Sequence, residues 1–149
     1  LVIYPDTSFL FSLYVDEVYS PLADEYAVSL DRGVAFTPFH RLELRMALRG
    51  RAYRKEIDSD GLRDALRRSE THLVTGFLNH TPLPWSDALR EAERLGEAYV
   101  VEIGGRSADI LHIASAVVLG AKEFVTFDQR QHALARRAGL KVKTWRSAK

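Results

Sequence analysis

With 149 residues, 46% hydrophobic and 28% charged, the chain fits one compact domain over residues 1–149, long enough to bury a sizeable core. No apolar run approaches the roughly 20 residues that cross a bilayer, no signal-peptide layout opens the sequence, and zero cysteines exclude disulfides and thiolate metal sites. These features predict a cytoplasmic protein with no membrane association, while a net charge of +1 leaves any case for a nucleic-acid partner to local charge.

In chain order, Leu1-Val-Ile-Tyr4 is a short apolar run that predicts a buried strand, closed by Pro5-Asp6. A helix is expected over Phe9 to Val15 and a second from about Tyr19 to Asp31, carried by Leu22, Ala23, Tyr26, Ala27 and Leu30. Gly33 breaks the pattern, Val34 to Thr37 reads as a strand, and Phe39 to Arg49 returns to helix with Leu44, Ala47 and Leu48 on its apolar side. A basic cluster follows: Arg45, Arg49, Arg51, Arg54 and Lys55, with Tyr53 among them. Such a run is ordinarily a solvated face, and nucleic-acid contact is the sharper alternative. Ser59 to about Val74 is amphipathic on Leu62, Leu66 and Leu73, with Gly76 as its stop.

Phe77 to Leu83 predicts a strand, which Pro82 and Pro84 confine to an edge or a strand end. Ser86 to about Val100 is helical, and Gly104-Gly105-Arg106 leads into Ser107–Leu119, a helix apolar on most faces and therefore expected inside the protein. Glu123 to Thr126 reads as a strand, Gln129 to Ala138 as a helix stopped by Gly139, and Lys141 to Trp145 as a final strand. Strands alternating with helices predict an α/β protein, a three-layer α/β/α sandwich around a central, mostly parallel sheet.

Four acids stand out by position. Asp6 and Asp128 each follow an apolar strand, Asp109 opens the buried helix, and Glu43 lies within another helix. Each has a plain explanation. Asp6 can cap a helix, Asp109 can favour the helix dipole, Glu43 can pair with neighbouring arginines, and Asp128 with Gln131 resembles a capping box. Yet in a parallel sheet the strand ends and the following helix starts share one edge, where ligands bind. Carboxylates brought together there repel one another, a cost that a hard divalent cation removes; Mg²⁺ or Mn²⁺ suits an all-oxygen site. No paired-histidine spacing supports zinc, and His40, His72, His80 and His132 form no metal pattern.

The segments Tyr4-Pro-Asp-Thr-Ser8, Leu42-Glu-Leu-Arg45, Arg106-Ser-Ala-Asp-Ile-Leu-His-Ile-Ala-Ser-Ala116 and Val125-Thr-Phe-Asp-Gln-Arg-Gln131 resemble the motifs of PIN-domain ribonucleases, most closely the VapC toxins of toxin–antitoxin pairs. The resemblance runs over essentially the whole chain. It implies an Mg²⁺-dependent endoribonuclease whose acidic quartet is Asp6, Glu43, Asp109 and Asp128, with Asp6 and Asp109 as principal metal ligands and Ser8 and Thr126 in support. RNA cleavage by a metal-activated water, a cognate antitoxin bound beside the acids and a homodimer are further implications. Arg106, Arg45 and Arg130 are candidate phosphate contacts beside the commoner reading of ordinary surface arginines, and Tyr14, Tyr53 and Trp85 candidate stacking platforms where core or interface is the commoner reading. His112 shares a helical face with Asp109, and a satisfied core histidine is its preferred reading.

Two departures from the family pattern are Pro5, where a small or aliphatic residue is commoner, and Met46, where many relatives carry asparagine. Two readings compete with the nuclease: another metal-dependent phosphohydrolase using Asp6 as nucleophile, and a non-catalytic PIN-like module that binds RNA or protein. Ser8 stands where the first would want a second aspartate, and retention of all four acids disfavours the second.

Overall fold

Val2–Pro5 forms strand β1, which pairs in parallel with β4, Ala121–Val125; Tyr4 lies opposite Phe124 and Pro5 opposite Val125. The Asp6 N–H extends this ladder by donating to the Val125 carbonyl at 2.9 Å. Successive backbone N–H groups of a strand face opposite edges, so the donor that Pro5 lacks would have pointed away from β4. The proline therefore costs the ladder nothing. The computed structural model describes residues 1–146. The chain divides into two compact units, one made of Leu1–Asp6 and Pro82–Lys149, the other of Thr7–Thr81.

In the first unit, helices α5 (Trp85–Ile103), α6 (Ser107–Val118) and α7 (Gln129–Arg137) pack on one another, and α6 lies against β4. Ile110, Ile113, Ala114 and Ala116 of α6 are buried, as the apolar pattern of Ser107–Leu119 requires. Tyr4 stacks on Phe124 with ring centroids 5.8 Å apart, and both rings are fully enclosed. Each such side chain contributes about 1.5–3 kcal/mol on burial. The Tyr4 hydroxyl also hydrogen-bonds His112 Nδ1 at 2.8 Å, so the buried imidazole has a polar partner inside this core.

The expected last strand, Lys141–Trp145, is reduced to a single parallel bridge between Val142 and Phe124. Phe124 donates to the Lys141 carbonyl and accepts from the Lys143 N–H, and there the ladder stops. A longer strand would have used the Thr126 carbonyl, but the Trp145 indole N–H takes it at 2.8 Å. A side chain has replaced the backbone as partner.

In the second unit, β2 (Val34–Phe36) pairs in parallel with β3 (Leu78–His80), beside helices α1 (Thr7–Tyr14), α2 (Ser20–Ser29), α3 (Pro38–Tyr53) and α4 (Ser59–Thr75). Gly33 is required before β2, because a Cβ there would sit 2.2 Å from the Gly76 carbonyl oxygen. Gly76 itself ends α4 in the left-handed region at φ 87°. Thr37 and His40 cap α3 reciprocally: Thr37 Oγ1 accepts from the His40 N–H and His40 Nδ1 accepts from the Thr37 N–H. Histidine here does the work usually given to glutamate or glutamine. α3 runs to Tyr53, past the expected end at Arg49, and Lys55 at φ 59° marks the turn beyond it. Arg68 of α4 donates to the Leu13 and Tyr14 carbonyls, placing a cation on the C-terminal end of α1.

Candidate functional site

The residues after β1 and β4 and the first turns of α6 and α7 carry a continuous chain of hydrogen bonds. Asp6 is fully buried, and Thr126, also buried, donates its hydroxyl to Asp6 Oδ2 at 2.5 Å. The same hydroxyl oxygen accepts the Asp128 N–H at 2.9 Å. Asp128 Oδ1 accepts the Gln131 N–H at 2.8 Å and so caps α7. Gln131 then turns its side chain away from its own helix and donates Nε2–H to Asp109 Oδ1 at 3.2 Å. Asp109 closes the series by accepting the Arg106 N–H on Oδ2 at 3.2 Å. Three aspartates from three positions in the chain are thus fixed through one hydroxyl and one amide.

The electrostatics follow from who the donors are. A hydroxyl, an amide and backbone N–H groups orient a carboxylate without cancelling its charge, whereas an abutting guanidinium would do both. The cation recorded near Asp109 is Arg106, whose Nε lies 3.6 Å from Oδ2 on a side chain 86% exposed. Such an exposed contact contributes little. Asp128 is exposed, Asp109 partly so and Asp6 enclosed, so the edge grades from solvent into the core.

Glu43 belongs to the second unit, on α3, where Thr7 Oγ1 donates to its Oε1 at 2.6 Å. Thr7 was not among the sequence candidates, although it sits between Asp6 and Ser8 in the first motif; its signal was a hydroxyl next to an acid. Ser8 is exposed. Met46 is 51% exposed on α3.

Among the described residues, no three histidine, aspartate or glutamate side chains form a ready-made metal cage. The donor set still fits a hydrated hard cation. Mg²⁺ keeps several waters and is held by one or two carboxylates, so it needs no closed all-protein cage, and every candidate donor here is oxygen. The same set does not suit zinc, which takes nitrogen and sulfur ligands at close range.

The basic candidates separate. Arg45 is engaged with Glu70 at 2.7 Å, and Arg41 holds the same carboxylate at 2.9 Å. Arg51 and Arg54 both meet Glu56, so much of the basic run is neutralised within its own unit. Arg106 and Arg130 are exposed, and a side chain at Gly104 would meet Arg130 Nε at 3.5 Å. Of the aromatic candidates, Tyr14 takes the core alternative: it is buried and bonded to His72 Nδ1 at 2.6 Å, with no face left for a base. Tyr53 is 88% and Trp85 43% exposed.

A family model described as PIN domain matches residues 3–137 of the chain. Among solved structures, the crystal structure of Mycobacterium tuberculosis VapC20, described as a sarcin–ricin loop cleaving toxin, is similar at a TM-score of 0.69. The likeness covers 88% of this chain and 93% of that one at 19% sequence identity, which makes it a likeness of fold. Comparison with curated proteins finds no match.

Proposed function

This chain belongs to the PIN-domain family, and from that premise we propose that it is a Mg²⁺-dependent endoribonuclease, a VapC-like toxin formed by a single PIN domain over residues 1–149. The observation that carries the reading is the hydrogen-bond chain running from Asp6 through Thr126, Asp128 and Gln131 to Asp109. A scaffold needs no such arrangement to stabilise itself, because isolated caps would serve each helix equally well. Neutral donors orient these carboxyl groups without adding a positive charge that would compete with a cation.

In this reading Asp6 and Asp109 hold the metal, Mg²⁺ or alternatively Mn²⁺, and Asp128 acts directly or through water. Glu43 is the fourth acid on the strength of its motif. When bound, a divalent cation lowers the pKa of a coordinated water and stabilises charge on phosphoryl oxygens. Thr126 fixes the Asp6 carboxylate, and Ser8 lies in the same motif. Arg106 and Arg130 offer positive charge to RNA phosphates, which the acids alone would repel, and Arg45 of the second unit could do so only by leaving Glu70. A cognate antitoxin, a homodimeric state and a cytoplasmic location complete the proposal on the family resemblance.

The test is cleavage of RNA substrates, a ribosomal sarcin–ricin loop oligonucleotide and transfer RNA among them, with Mg²⁺ or Mn²⁺ and with chelator. Native protein should cut only with metal, and Asp6→Asn and Asp109→Asn should each lose about 10²-fold or more of the rate. Undiminished cleavage by the variants would remove the proposed site. Metal-dependent binding of RNA without any cleavage would favour the non-catalytic module.

A further inference from the structure

Gln131 is the residue whose behaviour a helix cap does not explain. It is 6% exposed, and its Oε1 is buried without a hydrogen-bond partner, alone among the buried side-chain polar atoms of the described residues. An enclosed carbonyl oxygen with no donor is unfavourable and asks for a reason.

Local rules would send this side chain elsewhere. In a capping box the third helical residue reaches back to the N–H of the cap. Here that N–H, on Asp128, is already held by Thr126 Oγ1. Gln131 is therefore released and crosses to Asp109, 22 positions away in sequence. The orientation of its amide is not arbitrary. Turning it over would set Oε1 against a carboxylate oxygen, two acceptors with no proton between them. The charge on Asp109 draws in the NH₂ group and leaves Oε1, on the same amide, as a buried acceptor. The negative end of an amide dipole gains nothing from neighbouring carboxylates, so it needs a donor that arrives with the ligand.

We propose that Gln131 is a positioning residue for the metal-loaded site: Nε2 aligns Asp109, and Oε1 accepts a hydrogen bond from a water of the hydrated divalent cation. The proposal rests on the metal-dependent reading above. It adds a neutral oxygen outside the carboxylates to the group that selects a hydrated ion. The ligand class is a divalent cation that retains its water, Mg²⁺ or Mn²⁺, over one that sheds it.

Two variants of nearly the same volume test it in the full-length chain. Gln131→Met removes both the donor and the stranded acceptor. Its melting temperature in metal-free buffer should fall little or rise, while Mn²⁺ affinity by calorimetry weakens about tenfold or more. Raising Mn²⁺ should then restore the cleavage rate, with the KM for RNA unchanged. Gln131→Glu keeps an oxygen acceptor but sets a second negative charge toward Asp109. It should melt lower than the native chain without metal yet bind Mn²⁺ at least as tightly.

A Gln131→Met protein that melts lower without metal and binds Mn²⁺ like the native chain overturns the proposal and leaves Gln131 a structural bridge. If the native chain binds no Mn²⁺, or Asp109→Asn binds it undiminished, the metal-dependent reading fails and the proposal fails with it. Loss of binding in Asp109→Asn but not in Gln131→Met sinks the Gln131 role alone.

Discussion

The ion-paired acids of Thr7–Thr81 and the aspartates at the strand ends of the other unit are held by different kinds of donor, Glu43 with its Thr7 hydroxyl being of the second kind. In Thr7–Thr81, Glu70 lies between Arg41 and Arg45, Asp64 between Arg67 and Arg68, and Glu56 between Arg51 and Arg54. The two guanidinium groups on Asp64 hold its carboxyl below the usual range. In the other unit, the aspartates at the strand ends and helix starts take their hydrogen bonds from Thr126, Gln131 and backbone N–H groups. Arginine pairs occur there too, Arg137 with Glu102 and Arg94 with Glu91. A carboxylate given to arginine serves solubility and helix pairing. One given to a hydroxyl or an amide is oriented with its charge intact, which is what binding a cation asks of it.

The largest expected effects are those that spoil orientation in the core. Phe124→Ala removes the ring stacked on Tyr4 beneath the β1–β4 ladder and should cost about 3–5 kcal/mol in denaturant unfolding, enough to unfold a marginal domain. Thr126→Val comes next. It deletes the donor to Asp6 and the acceptor for the Asp128 N–H while keeping the volume, and should cost about 1–3 kcal/mol. Mg²⁺-dependent stabilisation should weaken alongside. If Thr126→Val costs stability but leaves the metal-induced rise in melting temperature untouched, neutral donors do not position the acids, and the contrast between the units loses its meaning.

In the second unit the expected effects are smaller and of another kind. Arg68→Ala removes donors from the Leu13 and Tyr14 carbonyls and a cation 5.8 Å from the Tyr14 ring centroid, for about 1–2 kcal/mol by the same unfolding measurement. His72 supplies a pH test. Burial first, and the Arg68 charge second, lower its pKa below the ordinary 6.5, and its Nδ1 pairs with the Tyr14 hydroxyl, whose own pKa burial pushes up against the opposing pull of Arg68. Because the folded pKa is the lower one, protons favour the unfolded chain. The stabilisation is therefore complete above about pH 6.5 and is lost as pH falls through the lowered folded value. Unfolding midpoints measured across that window should drop for the native chain and drop less for Tyr14→Phe with His72→Leu. Smallest of all, Arg63→Ala breaks an exposed pair with Asp60 and should change stability by less than about 0.5 kcal/mol.

Local rules made the elements legible. Apolar spacing located Ser107–Leu119 as a buried helix, Gly76 as the stop of α4, and Asp128 as the cap of α7, each visible within a few residues of sequence. What such rules do not show is which distant group takes a side chain. Gln131 fits a capping box locally, and only the fold brings Asp109 within its reach. His112 bonds Tyr4, 108 positions away, and Glu43 accepts from Thr7, 36 away. Trp145 was legible as strand-like but acts through its indole on the Thr126 carbonyl. The motifs flagged the acids by their placement after strands and at helix starts. The Thr126 hydroxyl came with the motif resemblance, whereas the Gln131 amide that reaches Asp109 had no periodicity to betray it.

The bond between Thr126 and Asp6 spans 120 residues of sequence. A chain emerging from a ribosome exposes Asp6 well before its partner, which follows 120 residues later. Loop closure over that length is slow relative to local pairing, whereas Thr7–Thr81 is one continuous segment. The β1–β4 ladder and everything hung on it must therefore wait for residues 121–126. A nascent chain cut short before them leaves Asp6 without its strand and without its hydroxyl. Translation through residue 126 becomes a condition for assembling the acidic edge, and products truncated before it carry its first aspartate without the Thr126 hydroxyl.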